Sequence, residues 1–253
     1  MSKAAKRIIN IHSNKSSKVG FAGFLETLFR TYRKLTYFFV SLSIIFICML
    51  CAGISLTPSI LFFKGLTKIS ENWNIVGQAF LGGIGISFGY FIYGISLIFV
   101  CPLANKLNPW KVKPWRGSWY SLQGVPWYYH NALTFLVRFT FLDFITPTPL
   151  NNLFFKMMGM KIGKGVVINT TYISDPCLIT LEDHVTIGGS VTMFAHYGQK
   201  GILILAPVVI KKNATIGLKA SIMGDVIIEE DVIIAPHDVI LPKSRIGNEK
   251  KVS

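Results

Sequence analysis

Isoleucine returns at every sixth position through Ile204, Ile210, Ile216, Ile222, Ile228, Ile234, Ile240 and Ile246, and no other feature of the chain restricts its fold as tightly. A helix brings a side chain back to one face about every 3.6 residues and a strand every two, so a sustained period of six needs short strands separated by regular turns. Small or branched residues recur four places after the isoleucines, at Val208, Ala214, Ala220, Val226 and Val232. Each hexapeptide then supplies one strand with an inward isoleucine and a second small inward residue near the corner. Three such strands close a triangular coil, and stacked coils bury a column that no single repeat could bury alone. The same phase is read at Ile162, Ile168, Leu181 and Ile187, with a slip of one residue around Pro176. An all-β parallel helix beginning near Lys161 is therefore the predicted fold of residues 161–253.

The repeat is interrupted once. Ile187 and Ile204 are seventeen apart, one short of three hexapeptides, so an irregular segment is predicted to leave the coil within residues 193–203. It contains His196, and loops on rigid scaffolds are where reactive groups tend to be placed. His184 and His237 each stand three places after a phased residue, the position of a solvated corner. His130 and His12 have no constellation around them. His184 and His196 are two hexapeptide steps apart, but no third ligand completes a metal site, and none is expected.

The first half of the chain obeys another solvent. Hydrophobic residues make up 51% of the sequence and charged residues 15%, too apolar for an ordinary soluble domain. Residues 35–63 carry no charge, and neither do residues 72–105 with their dense part at 75–100; each is long enough to cross a bilayer. Pro58 is predicted to kink or end the first span. Gly82, Gly83, Gly85, Gly89 and Gly94 offer the second a smooth face for close helix packing. The organisation read from this is a basic tail at 1–34, two transmembrane helices within 35–105, an interfacial aromatic and basic helical region at 106–160, and the β-helix at 161–253. Residues 1–34 hold Lys3, Lys6, Arg7, Lys15, Lys18, Arg30, Arg33 and Lys34 against Glu26 alone, so the positive-inside rule puts both ends in the cytosol.

The net charge of +14 is gathered beside apolar runs, which points to anionic headgroups rather than to nucleic acid. Trp110, Trp115, Trp119, Trp127, Tyr120, Tyr128 and Tyr129 beside Lys106, Lys111, Lys113 and Arg116 read as an interfacial collar. Residues 131–159 continue with helical apolar spacing, and their charges place them in the interface rather than across it. Cys48, Cys51 and Cys101 lie in apolar runs and Cys177 stands alone, so reduced thiols are expected rather than a disulfide framework.

Three stretches carry a family resemblance. They are the lead-in from Leu153 to Gly165, the run from Ser174 to Gly188 followed by the His196 segment, and the closing hexapeptides from Pro207 to Ile246. Together they resemble the hexapeptide-repeat acyltransferases, in particular the polysaccharide and capsule O-acetyltransferase branch. The resemblance implies a left-handed coil, a homotrimer, and an acyl-CoA donor, usually acetyl-CoA, lying along a groove between neighbouring solenoids. It also implies direct attack by an acceptor hydroxyl on a glycan or lipid-linked molecule, with His196 as general base and Asp175 orienting the ring or holding the acceptor. Lys219 and Lys243 would meet the donor's phosphates, with Gly217 and Ala235 allowing close approach. The chain departs from the pattern in having Tyr197 after the histidine where many relatives have an acidic residue, and Pro236, His237 and Asp238 in the last coils. The membrane arrangement is also similar, more loosely, to the terminal region of certain peptide synthetases, which implies an amine or peptide acceptor instead. A non-catalytic, membrane-anchored scaffold is the third reading.

Overall fold

The structure, a computed structural model, describes residues 14–16 and 18–247. Lys3, Lys6, Arg7 and His12 lie outside the described residues. A short helix α1 (Gly20–Thr31) leads into α2 (Arg33–Ile69) and α3 (Ile75–Leu107), two helices long and apolar enough to cross a membrane. Pro58 does not end α2, which runs on to Ile69. The following turn is pinned from the neighbouring helix, where the Ser59 hydroxyl donates to the Gly89 carbonyl at 2.7 Å, and such support is what allows proline inside a packed apolar helix. Only part of the predicted glycine face is used. A Cβ at Gly85 would stand 3.0 Å from the Phe63 ring and one at Gly94 would fall inside the Phe141 ring, whereas Gly82 and Gly83 look into open space.

Beyond α3 the region expected to be helical begins instead with a strand, β1 (Trp115–Ser118). Helices follow: α4 (Val125–Val137), a π turn at Arg138–Leu142, α5 (Asp143–Ile145) and α6 (Pro149–Met157). Leu133, Val137, Phe141, Leu142, Phe154 and Phe155 are all buried, while Phe139 and Phe144 point outward. This stretch is thus wedged against α3 on one side and the first coil on the other. Asn151 and Asn152 donate from α6 to the carbonyls of Ile168 and Val166, closing the otherwise open end of the coil.

The coil has three faces. The first turn is β2 (Lys161–Ile162), β3 (Val167–Ile168) and β4 (Ile173–Ser174); the second is β5 (Ile179–Leu181), β6 (Thr186–Ile187) and β7 (Thr192–Phe194). After an excursion come β10 (Val208–Ile210), β11 (Thr215–Ile216), β12 (Ser221–Ile222), β13 (Val226–Ile228), β14 (Ile233–Ile234), β15 (Val239–Ile240) and β16 (Arg245–Ile246). They form three parallel sheets, β2-β5-β10-β13-β16, β3-β6-β11-β14 and β4-β7-β12-β15. Ile210 pairs with Ile228 and Ile228 with Ile246, so three hexapeptides make one turn. Ile210, Ile216, Ile222 and Ile228 are fully buried, as are Val208, Ala214, Ala220 and Val226. Corner residues take left-handed conformations at the same six-residue interval, from Asn213 through Lys219, Asp225, Asp231 and His237 to Lys243.

Two expectations about the interruption are corrected. Ile204 is not on the coil: its six-residue spacing from Ile210 is coincidental, and it is buried with Tyr197 and Ile202 in a small separate cluster. The segment is not irregular either, but a hairpin of β8 (His196–Gln199) and β9 (Ile202–Leu205). Lys200 and Gly201 between them have φ of 49° and 75°, the two positive values that a two-residue type I′ turn requires. β1 pairs antiparallel with β9, Trp115 opposite Leu205 and Ser118 opposite Ile202, so the hairpin is clamped from the helical half.

Candidate active site

His196 opens β8 at the point where the chain leaves the coil. Gly224, in the next coil, passes directly beneath it, and a Cβ there would lie 3.0 Å from the His196 nitrogen and 2.9 Å from the Ala195 carbonyl carbon. The hairpin base is closed by Ala206 donating to the Ala195 carbonyl at 2.9 Å. Both features hold the histidine main chain at a defined height on the prism.

Asp175 comes from the coil before. It precedes the 3-10 turn Pro176–Leu178, which contains the extra residue that the slip around Pro176 anticipated, and it adopts a left-handed conformation with φ 58° and ψ 44°. Its side chain is wholly buried, which costs several kcal/mol for an ionised carboxylate unless its oxygens are hydrogen-bonded. Both oxygens have partners. Oδ1 accepts from Trp127 Nε1 at 2.6 Å and from Asn131 Nδ2 at 2.7 Å, and Oδ2 lies 2.5 Å from His196 Nδ1. The Asn131 carbonyl oxygen in turn accepts from the Asp175 backbone N–H at 3.3 Å. An ionised carboxylate can only accept, so a pairing with ionised Asp175 makes Nδ1 the donor, a tautomer that leaves the Nε2 lone pair free. Trp127 stands edge-on to the imidazole at 5.0 Å between ring centres and Phe194 lies at 5.4 Å, which restricts the ring's rotation.

His196 reaches a cleft of about 370 Å³ between α2 and α4. Nearby titratable groups are unsuited to replace it. Burial drives His130 down to about 4 against a smaller opposing pull from Asp175, so it is neutral at physiological pH, with Nδ1 3.1 Å from Asn105 Oδ1. Burial pushes the Cys177 thiol up to about 12, which removes the one cysteine near the pair as a thiolate nucleophile. Tyr128 is likewise pushed up to about 12 by burial.

Of the other expected site residues, Lys243 stacks over Asp225 on the edge that also carries His196, its N–H donating to the Asp225 carbonyl at 2.8 Å. Lys219 stacks over Gly189 on a different edge, so the two lysines are not brought together within one chain. Gly217 lies under Ala235, and a Cβ at Gly217 would stand 2.7 Å from the Ala235 carbonyl carbon and 2.5 Å from the Pro236 nitrogen; close coil stacking already requires glycine there. His184 and His237 are exposed corner residues. Among the described residues no three His, Cys, Asp or Glu side chains could jointly hold a metal ion. Trp127 and Asn131 were not foreseen as site residues. The available signal was a tryptophan and an amide at i and i+4, which share one face of an otherwise apolar helix. Trp127 is 9% exposed and spends its N–H on Asp175, so it belongs to the site rather than to a surface collar; Trp110 does point outward.

No family model matches the chain. Over 107 residues, 40% of this chain, the sequence is 28% identical to a delta-poly-L-ornithine synthetase of Acinetobacter baumannii (strain AB307-0294), and the match spans only 8% of that protein's length. Among solved structures, serine acetyltransferase 1 of Entamoeba histolytica, in complex with L-cysteine, is similar at 11% identity and a TM-score of 0.20, over 72% of this chain and 74% of that one.

Proposed function

We propose that the chain is a membrane-bound acyltransferase that moves an acyl group from acyl-CoA, in the first instance acetyl-CoA, to a hydroxyl of a glycan or lipid-linked acceptor. The observation that carries this reading is the buried Asp175 carboxylate holding His196 by Nδ1, which leaves Nε2 as a base at the mouth of a cleft. The acceptor hydroxyl gives its proton to Nε2 while its oxygen attacks the thioester carbonyl. The C–S bond then breaks, and the departing thiolate takes the proton back from the imidazolium, which Asp175 stabilises. General-base assistance of this kind contributes about 10²- to 10⁴-fold. The high pKa of Cys177 favours direct transfer over a covalent intermediate.

Several features support the membrane part of the reading. Within the most apolar eighteen residues of α2 only 11% are buried, which leaves an apolar surface that water does not favour. The charge asymmetry of residues 1–34 would put both ends in the cytosol, where acyl-CoA is found. The coil is taken as left-handed and the assembly as three parallel copies, an arrangement that would let Lys219 of one copy face the Lys243 edge of another. Similarity to a polyornithine synthetase favours a second reading with an amine as acceptor.

The test is release of free thiol from acetyl-CoA by protein in detergent, offered lipid-linked sugars or amines. His196→Ala should lower the rate by about 10²- to 10⁴-fold. An unchanged rate would remove the mechanism, and lability of the product in mild base separates ester from amide.

A further inference from the structure

The cleft at His196 has a shape and a chemistry that specify one of its occupants. One wall is Tyr37, Val40, Ser41, Ile44 and Ile45, positions i, i+3, i+4, i+7 and i+8 of α2. The other is Trp127, Tyr128, Asn131, Ala132 and Phe135, a single stripe of α4. Two apolar helix faces at this spacing normally interlock. Here a cleft remains beside their contacts, which include the Tyr129 hydroxyl on Ser43 Oγ at 2.5 Å and the Tyr37 and Tyr128 rings 6.5 Å apart. Asn131 and His196 line the cleft and bond to Asp175; Ile44, Ile45 and Phe135 give it an apolar wall. From Tyr37 to Ile45 the α2 wall rises about 12 Å along the apolar helix.

No Lys, Arg, Asp or Glu lines the cleft. Asn131 is committed to Asp175 through both atoms of its amide, and its Nδ2 also donates to the Trp127 carbonyl at 3.1 Å. His196 Nε2 makes no hydrogen bond to any described residue. An occupant with a phosphate or carboxylate head would find no Lys or Arg in the lining and would lie close to the buried Asp175 carboxylate behind His196. A neutral hydroxyl meets an acceptor ready for its proton.

We infer that the α2–α4 cleft binds the alkyl chain of an uncharged long-chain alcohol, which enters sideways from the bilayer and presents its hydroxyl to His196 Nε2. The inference deepens the acyltransferase reading and rests on it only for the role of this ligand as acceptor.

The probe is 1-hexadecanol bearing a diazirine in its chain, photolysed with the full-length protein in phosphatidylcholine nanodiscs, with the adducts mapped by mass spectrometry. Labelling should concentrate at residues 41–45 and 132–135, and unlabelled hexadecanol should compete where hexadecyl phosphate does not. Ala132→Trp, or Ile44→Trp from the opposite wall should the first variant misfold, should lower the labelling at least tenfold. His196→Ala should weaken it less than the wall variants do, because the hydroxyl loses its partner while the alkyl chain keeps its groove. Labelling spread over all outward faces of α2 and α3 and untouched by a folded cleft variant would overturn the inference. Equal competition by hexadecyl phosphate, or a resident phospholipid found in the cleft, would do the same. Labelling in the cleft without any thiol release would retain the site and remove only the catalytic reading.

Discussion

The two halves of this chain turn their apolar residues in opposite directions. In the prism, Ile210, Ile216, Ile222 and Ile228 face a closed column and are fully buried, while the corners carry Lys, Asp, Asn and His. In the helical pair, Phe38, Phe46, Met49, Leu61 and Phe80 are each more than half exposed. Similar side chains are therefore placed in two ways, withdrawn from water inside the coil and left on the surface of the helical pair. The site belongs to neither half alone. Asp175 and His196 come from the prism, and the Trp127 and Asn131 groups that donate to the carboxylate come from α4.

The largest expected effects are at this seam. Asp175→Asn should lower thiol release by about 10²- to 10⁴-fold and also lower the unfolding temperature in detergent, because an amide has one acceptor oxygen where the carboxylate offers two to Trp127, Asn131 and His196. His196→Ala should cause the first loss with a smaller share of the second, since only Oδ2 loses its partner. Equal stability losses in the two variants would assign the histidine to the fold rather than to the chemistry.

The contrast in burial is tested one element away. Ile216→Ala empties part of the column and should cost roughly 2–5 kcal/mol, whereas Met49→Ala on the outer face of α2 should change stability by less than about 0.5 kcal/mol in detergent. A Met49→Ala as costly as Ile216→Ala in denaturant titration would mean that the outer face is packed against protein.

The seam should also respond to acid. An unfolded chain protonates His130 near its ordinary pKa of about 6.5, whereas burial lowers the folded value to about 4. Between those values the unfolded state binds more protons. His130's contribution is therefore intact above about pH 6.5 and declines as the pH falls toward 4, by roughly 3 kcal/mol in all. His130→Gln should flatten that part of the stability profile; a profile unchanged by the substitution would exclude His130 as its source.

The smallest contrast lies within α3. Gly94→Ala drives a methyl into the Phe141 ring and should cost about 1–3 kcal/mol, while Gly82→Ala has open space and should be neutral or stabilising by up to about 1 kcal/mol. Matching melting temperatures for the two would show that Phe141 can leave its notch freely.

Much of the prism was legible because its signal is local and repeated. Each hexapeptide states the same inward pattern, and parallel stacking in steps of three follows from closure of the coil. Where the reading failed, a local coincidence or an overlooked turn was responsible. Ile204 keeps the six-residue spacing while lying on a hairpin strand, and Lys200-Gly201 was a turn signal passed over in favour of an irregular loop. Pro58 does not stop α2, and the next residue, Ser59, is tied to Gly89 on α3, a contact the local sequence does not reveal. Trp115–Ser118 is a strand because β9 offers it an edge, which no pattern within those four residues reveals.

By itself the sequence determined that a periodic β coil would follow two apolar helices and that one histidine would stand where the period breaks, since these depend on residues close together in the chain. Only the tertiary structure decided what surrounds that histidine. The bonds from Trp127 and Asn131 to Asp175 join groups 48 and 44 residues apart, and the cleft is a gap between two helices far apart in the chain. A buried carboxylate and an unfilled groove are properties of packing: they exist only once distant surfaces have met and failed, at one place, to close.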